Sequence, residues 1–135
     1  MKKEELRIGN LIDIEGEASP VTVHWLECMV EYPDEADLYK PIPLTDVWLL
    51  DMGFEPFVYL TAFGDRILYR QPLREDTVDA LILRHSRDGG YIWGFNEGDE
   101  EWPTEIGSPI RMEYVHQLQN FWFALTGEEL TINKQ

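Results

Sequence analysis

At 135 residues, with 44% hydrophobic and 13% aromatic residues, the chain is sized for a single domain, residues 1–135, that buries a real hydrophobic core. Its 26 acidic residues against 11 basic ones give a formal charge of -15, which repels a phosphate backbone and argues against direct nucleic-acid binding. Cys28 is the one cysteine, so no intramolecular disulfide can form and a reducing, cytoplasmic setting is expected. The start, Met1-Lys2-Lys3-Glu4-Glu5, has no apolar run behind it and does not read as a secretory signal. No stretch reaches the roughly 18 apolar residues of a membrane span, and no membrane association is expected.

In chain order, Leu6 to Ile14 alternates apolar and polar residues around Gly9-Asn10, the pattern of a half-buried strand with a turn or bulge at the glycine. A turn region over Gly16 to Pro20 leads to a second expected strand, Val21 to Val30. Two short strands of this kind resemble the opening of an SH3-like barrel. Pro33 to Pro43 reads as a solvated connection. It spells Asp34-Glu35-Ala36-Asp37, the tetrapeptide of a helicase class, but the chain has no phosphate loop to accompany it.

Leu44 to Phe54 carries start and stop chemistry for a short central helix. Thr45 caps it, Asp46 favours the positive end of the dipole, Leu44 and Leu49 have the spacing of a hydrophobic staple, and Gly53 closes it. Two hairpins follow: Phe57 to Ala62 with Arg66 to Gln71 around Gly64-Asp65, and Ala80 to His85 with Tyr91 to Phe95 around Asp88-Gly89-Gly90. Leu73 to Thr77 connects them, and Asn96 to Ser108 is a long acidic loop. The final helix starts near Tyr114 and stops at Gly127; Val115, Leu118, Trp122 and Leu125, with Phe121 alongside, form its core face. The expected fold is therefore α+β: an antiparallel β-rich sheet with a short central helix and a C-terminal helix packed on it.

Catalysis needs convergent groups, and the spacing supplies none that stands out. His85-Ser86 with Asp88 has the composition of a triad, but neighbours on a strand face opposite ways. His24 and Cys28 share a strand face, yet their surroundings are apolar and lack a cation to activate the thiol. No paired cysteine or His-x-x-x-His motif exists for zinc, and Glu97 to Glu101 lacks the spacing of a calcium loop, so neither metal nor cofactor is expected. Tyr91, Trp93 and Phe95 alternate on one strand face; core packing accounts for them better than base stacking, because flanking cations are scarce. On the last helix, His116, Gln119, Asn120 and Phe123 recur at spacings of three and four and form a candidate protein-contact stripe.

Three segments together resemble a family of small uncharacterised proteins from Bacteroidetes bacteria and their phages. They are Leu6-Arg7-Ile8-Gly9-Asn10; Ile42-Pro43-Leu44-Thr45 with Trp48-Leu49-Leu50 and Gly53-Phe54; and Tyr114-Val115-His116-Gln117-Leu118-Gln119-Asn120 running on to Ala124-Leu125-Thr126-Gly127-Glu128-Glu129-Leu130. Between residues 57 and 109 the likeness is only that of strand-rich sequence. The resemblance implies a prophage or mobile-element setting and no known catalytic residues.

The function expected from the sequence is that of a non-enzymatic, acidic protein-interaction domain, with a basic partner if the acidic surface is used; mimicry of DNA or inhibition of another protein is its sharper form. The rival is a small enzyme or ligand-binding domain with a pocket between sheet and helices, near Trp48, His85 or His116.

Overall fold

In the computed structural model, residues 6–32, 38–61, 64–73, 79–86, 89–96, 111–130 and 132 are described. Apolar side chains at Ile12 and Ile14 alternate with half-exposed ones along β1 (Leu11–Ile14), which turns back into β2 (Glu17–Pro20) in antiparallel register, Ile14 opposite Glu17. The two-residue turn is Glu15-Gly16, with φ of 54° and 92°. Positive φ at both positions matches the twist of a tight hairpin, and the Asp13 carboxylate accepts from the Gly16 amide at 2.7 Å. The expected turn region of Gly16 to Pro20 is thus mostly strand. Glutamate is a poor advertisement for a left-handed backbone, which hid the turn one residue early.

The expected strand from Val21 to Val30 is a helix, α1 (Val23–Glu31), so the two-strand opening of an SH3-like barrel is not formed as read. Thr22 caps it, its side chain accepting from the Trp25 amide at 3.3 Å. Val21 before the cap and Leu26 at the fourth helical position belong to one apolar cluster, the arrangement of a hydrophobic staple. Trp25, Leu26, Cys28 and Met29 pack on Ile12, Ile14, Val21 and Tyr39. β3 (Tyr39–Lys40) joins the other edge of β1, in a stretch expected to be plain connection, and completes a three-stranded sheet ordered β2-β1-β3.

The central helix, α2 (Asp46–Asp51), forms as its sequence predicts: Thr45 accepts from the Trp48 amide at 3.4 Å, and Leu44 and Leu49 are both buried. Its start repeats the start of α1. Val21-Thr22-x-x-Trp25-Leu26 and Leu44-Thr45-x-x-Trp48-Leu49 are the same pattern with the same cap.

Beyond it, β4 (Glu55–Thr61), β5 (Gly64–Pro72), β6 (Ala80–His85) and β7 (Tyr91–Asn96) form a four-stranded antiparallel sheet in sequence order. The two expected hairpins are present, and β5 pairs with β6, Tyr69 opposite Leu83, to make them one sheet. Ala80 to Leu83 are all buried, as suits an inner strand covered on both faces. Tyr69, Leu81, Leu83 and Tyr91 join Leu49, Met52, Phe54, Leu118 and Trp122 in the main core. The fold is α+β, as expected, but with two antiparallel sheets and an additional helix.

α3 (Val115–Thr126) begins where Gln117 Oε1 accepts from the Tyr114 and Glu113 amides at 3.0 and 2.9 Å. It ends at Gly127, whose amide reaches the Phe123 carbonyl at 2.8 Å. The strand-like segment before it ties the layers together: Leu44 N donates to Glu113 O, Val115 N to Ile42 O, and Met112 and Tyr91 exchange two bonds of 2.8 Å. Leu125, expected in the core, is 38% exposed. The buried arc of α3 is rotated instead toward His116 and Gln119, because the loop before β1 lies on that side. The Asn96 to Ser108 loop lies almost entirely outside the described residues, as do most of the Leu73 to Thr77 connection and the Asp34 to Asp37 tetrapeptide.

Candidate functional site

The most extensive polar constellation among the described residues joins the two ends of the chain. A tight turn at Arg7 to Asn10 is closed by the Asn10 side chain, whose Oδ1 accepts from the Arg7 amide at 2.7 Å. That turn presents its backbone to α3. Gln119 Oε1 accepts from Leu11 N at 2.7 Å and Gln119 Nε2 donates to Gly9 O at 3.4 Å, while Asn10 Nδ2 donates to Asn120 Oδ1 at 2.8 Å. The Arg7 guanidinium donates to Asn120 Oδ1 at 3.1 Å, pairs with the Glu129 carboxylate, and lies 4.2 Å from the Phe123 ring centroid. The guanidinium beside Glu129 holds that carboxyl below the usual glutamate value, against a smaller opposing effect of burial.

These contacts decide where each residue of the expected stripe stands. His116 is 1% and Gln119 3% exposed, Asn120 is half-buried among its bonds to Arg7 and Asn10, and Phe123 is 39% exposed. Polar side chains at three-and-four spacing read from sequence as an outward face. Here Gln119 and Asn120 serve an intramolecular joint, and only Phe123 combines an apolar surface with solvent access. In the sequence Arg7-Ile8-Gly9-Asn10 and Gln119-Asn120 stand as separate motifs; that they are each other's partners depends on contacts across 108 or more residues.

A second constellation surrounds Asp46, the first residue of α2. The Tyr91 hydroxyl, inside the core, donates to Asp46 Oδ1. Burial first, then that hydrogen bond and the carboxylate charge, push the Tyr91 pKa far above the ordinary tyrosine value; Tyr69 is raised by the same causes more modestly. The His85 ring stands edge-on to Tyr91 at 5.3 Å between centroids. Two protonated phenols that both direct their single donor at the Asp46 carboxylate are suited to fixing a helix end. Ser86 follows β6, its amide bonding to Gly90 O at 2.9 Å, and Asp88 lies outside the described residues.

His24 and Cys28 do meet, through helix geometry: four residues apart on α1, with Nε2 and Sγ separated by 3.7 Å on an exposed flank. Trp93 is half-buried, packed on the main core with its ring 4.7 Å from that of Phe121. The Phe95 side chain and Glu97 to Glu101 lie outside the described residues. Trp48 packs at the margin of the main core. Among the described residues, no three His, Cys, Asp or Glu side chains are grouped to hold a metal, and no helix is long and apolar enough to cross a membrane.

Comparison of the chain with protein families, with curated proteins and with solved structures finds no match.

Proposed function

We propose that the protein is a non-enzymatic interaction module whose acidic exterior selects a basic protein partner in the cytoplasm. The observation that carries this reading is the formal charge of -15. A field of one sign steers a partner of opposite sign and rejects phosphate backbones, so mimicry of a nucleic acid toward a basic protein is the sharper form. Phe123 is the member of the α3 stripe whose exposure suits contact with a partner. The proposal extends to a prophage or mobile-element setting, from the resemblance of the N-terminal, central-helix and C-terminal segments to small Bacteroidetes and phage proteins. Immobilised protein should capture basic chains from a Bacteroidetes lysate at low salt and release them at physiological salt. Capture of neutral or acidic chains that persists at physiological salt would contradict the reading.

A second reading rests on Asp46, Tyr69, Tyr91 and His85, which put two protonated phenols, a carboxylate and an imidazole at one end of α2. With both phenol donors directed at Asp46, a ligand that itself donates hydrogen bonds would fit the remaining oxygen lone pairs of these groups. Screening small polar ligands by thermal shift checks it: a stabilisation abolished by Tyr91→Phe favours this reading, and no shift across the screen removes it.

A further inference from the structure

Helix α1 is apolar on two sides. Its inner side lies on the N-terminal sheet, yet none of its residues is fully buried. Its outer side carries Val23 and Val30, 56% and 60% exposed and two turns apart on one line, with exposed Tyr32 just beyond the end. Glu27 and Glu31, both exposed, stand on that same side. Glu31 is the last residue of the helix, at the negative end of its dipole, with no base in the last turn to offset it, and Glu27 stands one turn before it. The described residues from 6 to 40 add Asp13, Glu15 and Glu17, against Arg7 and Lys40 as the cations, and Arg7 is engaged by Glu129.

An exposed apolar line flanked by uncompensated acids defines what would cover it. We propose that the outer face of α1 docks a basic amphipathic helix of another protein. The partner's apolar side chains cover Val23 and Val30, and its lysines or arginines meet Glu27, Glu31 and the last carbonyls of α1. This rests on the acidic-module reading and gives it a place. A second copy of this chain is the wrong occupant, because it would bring glutamates against glutamates. The recognition chemistry is that of a helix laid along an apolar stripe, with charge setting the choice of partner.

The test uses the full chain and a synthetic leucine–lysine helical peptide with its leucines on one face, beside a control of the same composition with the leucines dispersed. Binding is followed by peptide anisotropy and by amide shifts of the labelled protein. The amphipathic peptide is expected to bind with shifts concentrated on residues 23–32, and V23S/V30S, which leaves every charge in place, to weaken it by about tenfold or more. E27Q/E31Q should weaken it and reduce its salt dependence. The shift map needs no variant, so it decides even if a substitution unsettles α1. Shifts centred elsewhere, unchanged affinity in V23S/V30S, or equal binding of the dispersed control would overturn the docking site while leaving the acidic-module reading intact. Failure of both peptides to bind at low salt would overturn both.

Discussion

Gln119 satisfies two backbone groups of the N-terminal turn at once, accepting from Leu11 N and donating to Gly9 O, at a position 3% exposed. Truncation to alanine leaves the part-buried Leu11 amide without its acceptor, which costs roughly 1–3 kcal/mol. Phe123 is 39% exposed, and its contact with the Arg7 guanidinium is worth about 0.5–1 kcal/mol. Urea unfolding should therefore rank Gln119→Ala as the more damaging substitution; the reverse order would show that the joint does not hold the ends as described. Tyr91 and Tyr69 supply a pH signature. Their phenols have pKa values raised in the folded state above the ordinary 10.0, so their contribution to stability is complete below that value and is lost as pH rises through it toward the folded pKa. Denaturation midpoints measured across pH 9 to 11 should fall more steeply for the native chain than for Tyr91→Phe.

At the scale of elements, the two copies of the apolar-Thr-x-x-Trp-Leu pattern explain what could and could not be read in advance. At Leu44 to Leu49 the pattern is followed by Gly53, which advertises a stop, and the helix is legible. At Val21 to Leu26 the β-branched residues Val21, Thr22 and Val23 alternate as in a strand, and no glycine closes the run; only the cap and the spacing of Trp25, Leu26 and Met29 argue for helix. The hairpins around Gly64 and Gly89-Gly90 were legible because turn residues sit between apolar runs. The third strand was not, since two residues, Tyr39–Lys40, carry no periodicity. The joint between Asn10 and Asn120 escaped for another reason: polar side chains at helical spacing look alike whether water or a distant loop receives them. The two caps also predict different losses. Thr45→Ala should lower global stability by about 1 kcal/mol, because α2 is anchored by fully buried Leu49. Thr22→Ala should chiefly speed amide exchange over residues 26–31, because α1 buries no residue fully and can open by itself. Equal effects on global unfolding would contradict this division. The turn before β7 gives a sharper contrast. Gly90, at φ 70°, would bring an added Cβ within 3.0 Å of Glu113 Cγ and 3.1 Å of Met112 O, whereas Gly89, at φ 96°, has open space. In thermal melts Gly89→Ala should cost about 1–2 kcal/mol from backbone strain, and Gly90→Ala more.

Among the described residues, the main core is built from β5, β6, β7, α2, α3 and the segments beside them, and the smaller sheet and helix join it through Leu11 and Ala18, through hydrogen bonds to α3 and through the Arg7–Glu129 ion pair. Its charge, with α1 as the least buried of its helices, gives the acidic-module account its physical content: affinity should come from opposite charge and place from the apolar line on α1. The most direct measurement is the dissociation constant for a basic chain captured from the lysate, followed from low to physiological salt. Binding is expected to weaken progressively as salt screens the acidic surface, with a shallower dependence in E27Q/E31Q. An affinity indifferent to salt over that range would contradict it.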